Sequence, residues 1–323
     1  MNKIFTFRPY LKTVVWGGDK IKNFKNIVTR QENIGESWEI SGVPGHESVV
    51  DSGEDSGLTI TQLIEKYGVD LVGEDVYRRF GTDFPLLIKI IDARDNLSVQ
   101  VHPDDELAGK RHNSQGKTEM WYVIDADYDA NIISGLSQEI NPEEYRRRVA
   151  DNTITDVLAG HKSHPGDVFF LPAGRIHAIG AGNLIAEIQQ TSDITYRVYD
   201  YDRRGLDGKP RQLHIEEAVD AIDYKVYDNY VTDYDREADG EVPLVKCKYF
   251  DVEKITVNGQ LTLPHTGDSF VVLICIAGQC SADIDHEAVN SISRGHTALI
   301  AASARSITLT GNAVLIAASV PKP

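Results

Sequence analysis

The sequence predicts an all-β protein with small helical insertions, arranged as two β-barrel units of which the second is degenerate. Most of the chain consists of short apolar strands separated by Gly, Pro, Asn and Asp. Only two stretches show clear helix signals. The segment at 166–177 recurs incompletely at 295–306. At 323 residues, the chain is long enough for two domains of ordinary size.

Both helical insertions are predicted from their first turns. Thr59 precedes apolar residues at helical spacing and has Gln62 three positions later, as in a capping box. Asn141 is followed by Pro142 and two glutamates, which suits the first turn and the positive end of the helix dipole. Neither insertion has the length of a domain.

The domain junction is placed within residues 224–242, which are polar, acidic and nearly devoid of Leu or Ile. This divides the chain into a catalytic unit at 1–235 and a C-terminal β unit at 236–323. The segment GDVFFLPAGRIH at 166–177 recurs weakly as GHTALIAASARS at 295–306, where Ser306 stands in place of His177. We therefore expect the second unit to have kept the fold and lost the site.

Charge and hydropathy exclude two classes of partner. The net charge of −16 argues against nucleic acid, and it requires any phosphorylated ligand to be held by a local basic cluster. No apolar run approaches the roughly 20 residues that span a bilayer. The N-terminus has no signal-peptide core. We expect a cytoplasmic protein without a membrane partner.

A metal site is predicted from polar residues spread over three expected strands. Gln100 and His102 lie two positions apart and share a strand face, Lys117 and Glu119 repeat that spacing, and His177 closes a third strand. A lone histidine is more often a hydrogen-bonded or surface residue, but this spacing favours ligands. Two imidazoles, one carboxylate and an amide oxygen suit one divalent ion per chain, with zinc expected.

The sequence resembles a known enzyme family. The string Gly-x5-Pro-x-Gly-x2-His at 166–177 is similar to the second signature of the cupins, although Gln100 replaces the first histidine of their first signature. QVHP at 100–103, Lys-x-Glu at 117–119 and GESWEIS at 35–41 resemble type I mannose-6-phosphate isomerases of the short bacterial form. The resemblance implies two cupin jelly-roll barrels and interconversion of mannose 6-phosphate and fructose 6-phosphate through a cis-enediolate.

Candidate anion-binding and catalytic residues cluster after residue 186. The planar fork of Arg197 suits a phosphate or a developing oxyanion. By resemblance Arg197 is the catalytic arginine, Glu187 and Asp193 lie in its pocket, and Arg203 falls where long family members carry a phosphate-binding Lys. Long members also have a histidine at the position of Gly116, so a proton-transfer role for that histidine does not carry over.

Two lysines complete the candidate site. Lys117 is placed to donate to a sugar oxygen or to stabilise negative charge. Lys89 lies in the apolar segment FPLLIK, where an unpaired charge is costly, so it is predicted to bind substrate or support the site. Trp38 is assigned to core packing, and Trp121 shares the Glu119 face and is a candidate pocket wall. The group that removes the carbon-bound proton stays open among Glu187, Asp193, Lys117 and a metal-bound hydroxide.

Two alternative functions stay open. The first is a cupin isomerase for another sugar phosphate, such as glucose 6-phosphate. The second is a non-catalytic sugar-binding cupin, against which the acid and base groups beside the ligand set speak.

Overall fold

A computed structural model describes residues 1, 3–286 and 290–322. Strands take 41% of the chain and helices 17%, which confirms the prediction of a mostly β protein. The expectation of only two helical insertions is wrong, because the described residues contain seven helices. No helix in this described part combines the length and apolar character needed to cross a membrane.

The strands in chain order are β1 Ile4–Arg8, β2 Tyr10–Gly18, β3 Ile34–Ile40, β4 Val49–Val50, β5 Leu86–Ala93, β6 Val99–Val101, β7 Glu119–Ala126, β8 Asn131–Leu136, β9 Leu158–Lys162, β10 Val168–Leu171, β11 His177–Ile179, β12 Asn183–Gln190, β13 Tyr196–Tyr199, β14 Gly240–Lys246, β15 Asp251–Leu263, β16 Val271–Ile284, β17 Asn290–Ser293, β18 Thr297–Ile300 and β19 Ile307–Ser319. The helices are α1 Lys20–Lys25, α2 Ile60–Tyr67, α3 Val69–Val72, α4 Glu74–Phe80, α5 Asp105–His112, α6 Pro142–Ala150 and α7 Ile215–Ala221, with a 3-10 turn at Ile154–Val157.

Both predicted helix starts are confirmed. The Thr59 hydroxyl accepts a hydrogen bond from the Gln62 amide, and the Gln62 side chain accepts one from Thr59, forming the capping box. Asn141 caps α6 by accepting from the Glu144 amide at 2.8 Å. Helix α5 escaped prediction because it buries only Ala108 and so lacks an apolar stripe.

Three sheets form the framework. A six-stranded sheet has the order β10-β7-β12-β5-β3-β2, and a five-stranded sheet has the order β13-β6-β11-β8-β9. Their facing sides share one apolar cluster, which joins Trp121 and Ile185 of the first sheet to Ile132 and Ile179 of the second. The candidate metal ligands lie between these two sheets.

The third sheet has eight strands and packs on the far side of the six-stranded sheet. Its path is β14-β15-β19-β16-β18-β1-β4, with β17 beside β16. Val272 and Ile274 of β16 share a buried cluster with Ile88 and Ile188 of the six-stranded sheet. The alternate residues of β16, such as Leu273, pack into a separate interior of the third sheet, as the period of two requires.

The third sheet includes both ends of the chain. Strand β1 pairs with β18, so the first strand of the predicted catalytic unit lies within the sheet of the C-terminal unit. The predicted internal repeat has matching local structure, because Gly166 (φ 87°) and Gly295 (φ 84°) each precede a four-residue strand by two positions. The division at 235/236 stays a prediction.

Candidate metal and substrate site

The three strongest candidate ligands come from both sheets. His102 directly follows β6 and His177 is the first residue of β11, so both belong to the five-stranded sheet. Glu119 opens β7 in the facing sheet. The structure corrects one expectation, because His177 begins a strand rather than closing one. Glu119 lies on the next strand, as expected, and approaches from the opposite sheet.

The ligand atoms converge on one buried point. Glu119 Oε2 lies 3.5 Å from His102 Nε2, and Glu119 Oε1 lies 3.3 Å from His177 Nε2. One ligand atom from each of the three side chains lies within 4.8 Å of the others, and all three residues are buried. This spacing leaves room for one ion at the centre.

The hydrogen bonds around these residues fit a metal ion. His102 Nδ1 donates to the Ile194 carbonyl at 2.8 Å and His177 Nδ1 donates to the Arg175 carbonyl at 2.7 Å. Since a carbonyl only accepts, each Nε2 keeps a lone pair directed at the centre. Glu119 Oε1 and His177 Nε2 lack a hydrogen-bond partner among the described residues, whereas Glu119 Oε2 lies within ion-pair distance of Lys117. A divalent cation would satisfy these buried atoms.

Burial keeps both imidazoles in the form that binds metal. It lowers the pKa of His177 to about 3 and holds the pKa of His102 well below its usual value, with the nearby Lys117 acting in the same direction. Burial also raises the pKa of Glu119, although Lys117 opposes that shift. A neutral imidazole is the ligand form, so the histidines need not lose a proton before metal binds at neutral pH.

Lys117 stands directly beside the ligand set. Its Nζ forms an ion pair with Glu119 Oε2 at 2.8 Å and lies 3.2 Å from His102 Nε2. Gln100 is the register partner of His177 on one side and of Arg197 on the other. Because directly paired residues share a sheet face, Gln100 stands between the predicted metal site and Arg197.

A second buried charge cluster crosses the six-stranded sheet. Lys89 Nζ donates to Glu187 Oε1 at 3.0 Å and lies 3.8 Å from Glu36, while Trp121 Nε1 donates to Glu187 Oε2 at 2.9 Å. Burial alone would raise the pKa of Glu187, but Lys89 and Lys117 outweigh it and lower this pKa. The Lys89 ammonium lies 5.2 Å from the Trp38 ring centroid. Lys89 therefore has two carboxylate partners, and its role in binding substrate stays a prediction.

A cavity of about 430 Å³ lies above this buried charge cluster. Six of the predicted site residues line it together: Lys89, Gln100, Lys117, Glu187, Asp193 and Arg197. Trp16 and Trp38 also line it, so the assignment of Trp38 to core packing alone is incomplete. Trp121 is fully buried beneath Glu187 and does not form a wall.

Comparisons with known proteins show which proteins the chain resembles over most of its length. Over 276 residues the chain is 37% identical to a mannose-6-phosphate isomerase of Bacillus subtilis, covering 84% of this chain and 85% of that protein. It is 37% identical to the mannose-6-phosphate isomerase of Streptococcus mutans, with 82% of each chain covered. The chain belongs to the type I mannose-6-phosphate isomerase family. Residues 4–127 match the family model of the type I phosphomannose isomerase catalytic domain, and residues 241–320 match the mannose-6-phosphate isomerase cupin domain.

Solved structures of the isomerase family share the whole architecture. A crystal structure of the mannose 6-phosphate isomerase from Bacillus subtilis has a TM-score of 0.88 at 32% identity, covering 98% of this chain and 99% of that chain. The apo form from Salmonella typhimurium gives a TM-score of 0.80 at 17% identity and covers 100% of both chains, which shows the common fold. The family prediction made from the motifs is confirmed.

Arg203, which the family resemblance assigned to substrate binding, is not among the residues that line the cavity. Its guanidinium donates to Asp200 at 2.7 Å and to the Asn96 carbonyl at 2.5 Å. Arg211 lines the cavity instead, as does Glu36. Glu36 lies in the family motif at 35–41 and was within reach of sequence reasoning. Arg211 lies in a loop without hydrophobic periodicity, so the sequence alone did not indicate that it belongs to the site.

Proposed function

We propose that this protein interconverts D-mannose 6-phosphate and D-fructose 6-phosphate at the cavity between the two sheets. The observation that carries the proposal is the buried group of His102, Glu119 and His177 beneath a cavity lined by acid and base groups, in which Glu119 Oε1 and His177 Nε2 have no hydrogen-bond partner among the described residues. Membership of the isomerase family supports the same conclusion. A cavity of this size is in the range of small-molecule sites.

The metal is proposed to be one divalent ion, zinc first, held by His102, Glu119 and His177, with Gln100 as a further ligand. When bound, such an ion acts as a Lewis acid toward the sugar oxygens and offsets the negative charge of a cis-enediolate. The carbonyls of Ile194 and Arg175 would keep both imidazoles in the ligating orientation.

The chain's own groups then have separate tasks. Both oxygens of Glu187 already accept hydrogen bonds and its pKa is lowered, which suits a fixed negative charge better than a proton acceptor. Lys117 and Asp193 remain as the groups that move protons between C1 and C2 and their oxygens. Substantial turnover in both Lys117→Met and Asp193→Asn, with metal retained, would contradict this assignment.

The wider architecture is proposed to be two cupin barrels, the second degenerate. The matching glycine-strand pattern at 166–171 and 295–300 supports it. The cytoplasm is the proposed location, because phosphorylated sugars carry charge and do not cross the apolar core of a bilayer.

The decisive experiment combines metal analysis with an isomerase assay on mannose 6-phosphate. We expect about one divalent ion per chain, loss of turnover after prolonged chelation, and recovery with added zinc, cobalt or manganese. A parallel assay on glucose 6-phosphate tests the rival substrate. Sugar-phosphate binding without turnover would favour a non-catalytic binder, and full activity in demonstrably metal-free protein would refute the mechanism.

A further inference from the structure

The cavity has a cationic end opposite its metal end. His177, Gln100 and Arg197 are consecutive register partners across β11, β6 and β13. Two strand spacings of about 5 Å each separate the backbones of His177 and Arg197 by roughly 10 Å. In a hexose 6-phosphate, the reacting carbons C1 and C2 and the phosphate on C6 lie at opposite ends of the carbon chain. The phosphate is therefore directed away from the metal ligands.

Arg197 is held at this end with part of its guanidinium uncommitted. Its Nε donates to the Ser98 hydroxyl at 3.3 Å and its Nη1 donates to the Gln212 carbonyl at 2.8 Å. No described carboxylate lies within ion-pair distance of Arg197, and no described residue accepts a hydrogen bond from its Nη2. An oriented cation without an anionic partner is a ready site for phosphate.

Arg211 reaches the same cavity from the loop between β13 and α7. One edge of its guanidinium binds Asp200, through Nε at 2.7 Å and through Nη2. Its Nη1 has no partner in the described part of the chain. The Gln212 carbonyl that holds Arg197 is the next residue along, so both arginines are fixed by one short segment. Burial is the main cause that lowers the pKa of Arg197; Arg211 and Arg203 act in the same direction, and Asp200 opposes them.

Arg203 occupies the other side of Asp200. Its Nη1 and Nη2 are occupied by the Asn96 carbonyl and Asp200, and Asp95 lies 3.5 Å away. Its Nε is buried without a partner. This side chain braces Asp200 from outside the cavity, and Asp200 in turn holds Arg211.

We propose that Arg211, and not Arg203, is the second phosphate-binding cation beside Arg197, and that Asp200 positions it. The inference rests on the proposed sugar-phosphate function and names the phosphate end of that site. It replaces a residue assigned by family resemblance with one assigned by cavity geometry.

Binding of sorbitol 6-phosphate, which cannot isomerise, tests this proposal without turnover. Calorimetry on the metal-loaded enzyme should show Arg211→Ala raising Kd at least ten-fold, equal to about 1.4 kcal/mol. Arg211→Lys should give a smaller increase. KM for mannose 6-phosphate should rise in parallel while kcat stays within about three-fold and the metal content is unchanged. Arg204→Ala, an exposed arginine of the same loop bonded to the Gly208 carbonyl, is the matched control.

The rival assignment gives the opposite order of effects. If Arg203→Ala raises Kd more than Arg211→Ala does, or if Arg211→Ala and Arg211→Lys both stay within two-fold of wild type, the proposal is wrong. Should Arg211→Ala lower thermal stability, Arg211→Lys supplies the comparison with charge retained beside Asp200. Failure of the wild type to isomerise mannose 6-phosphate would contradict the proposed function instead, since the calorimetry is independent of turnover.

Discussion

Replacing Lys89 by Met tests whether the buried charges of the six-stranded sheet act as one network. Lys89 lies 3.0 Å from Glu187 and 3.8 Å from Glu36, so at an effective dielectric of about 20 the two attractions are ~5.5 and ~4.4 kcal/mol. Desolvation of all three groups offsets much of this. Removing one partner of a buried pair typically costs about 3–5 kcal/mol, because it leaves an uncompensated charge.

We therefore expect Lys89→Met to lower the free energy of unfolding by about 3–5 kcal/mol. With an unfolding entropy of about 2.1 cal/mol/K per residue, a 323-residue chain that unfolds cooperatively would lose roughly 4–7 °C in Tm. Urea denaturation at pH 7 measures the free energy, and calorimetry measures Tm.

A double-mutant cycle with Glu187→Gln identifies the cause. The double variant should be more stable than the sum of the single variants by about 1–3 kcal/mol, since removing both charges leaves neither unpaired. Lys12→Met is a matched control, because Lys12 also binds Glu36 at 3.0 Å but is 41% exposed, so its loss should cost no more than about 1 kcal/mol. Additive effects, or a Lys89→Met variant within 1 kcal/mol of wild type, would refute the network.

Three further predictions follow from single residues. Both Arg197→Lys and Arg197→Ala should lower kcat/KM by about 10²–10³-fold, because Lys lacks the planar fork. Metal content and Tm should stay close to wild type. Comparable kinetics for the Lys variant would remove Arg197 from the catalytic set. His286→Ala and His296→Ala should retain metal and activity within about two-fold, since both side chains are exposed on the C-terminal sheet, and a loss of metal in either would show a ligand there. Burial raises the pKa of Asp92 from its ordinary value to about 6, so its stabilising contribution is present below about pH 4 and is lost as the pH rises through 6. Relative to Asp92→Asn, urea titrations of the wild type should therefore show a loss of up to about 2 kcal/mol between pH 4 and 7, and a constant difference would contradict this pKa.

The buried group of His102, Glu119 and His177 could be predicted because strand periodicity and ligand chemistry point the same way. Gln100 and His102 are two positions apart at a strand end, and His177 follows a Pro-Ala-Gly turn. Periodicity fixes which face a side chain takes within its own strand. It does not fix which strands face each other, so the approach of Glu119 from the opposite sheet could not be derived.

Lys89 shows the same limit of sequence reasoning, here for the free energy of burying a charge. Its apolar surroundings in β5 require a partner for the charge, and the sequence supports that conclusion without a structure. The partner Glu187 lies 98 residues later in the chain and is set by the pairing of β5 with β12. Long-range register depends on the whole sheet, so the local pattern cannot identify the partner.

Arg211 was beyond sequence reasoning for a different reason. It lies in the irregular loop between β13 and α7, where no periodicity orients a side chain. Arg203 and Arg204 stand nearer the family motif and have the same chemistry. Arg211 differs from the other two arginines because it lines the cavity and because Asp200 binds one edge of its guanidinium, and both features depend on tertiary structure.

The interior of the site explains how an acidic chain accommodates a phosphorylated ligand. Three lysines and three glutamates alternate from the rim to the predicted metal site, so their formal charges cancel: Lys12, Glu36, Lys89, Glu187, Lys117 and Glu119. Arg197, which has no described carboxylate within ion-pair distance, then leaves positive charge in the cavity for a phosphate monoester, whose charge is about −1.5 to −2 at pH 7. The net charge of −16 can therefore reside elsewhere on the molecule without opposing the substrate inside it.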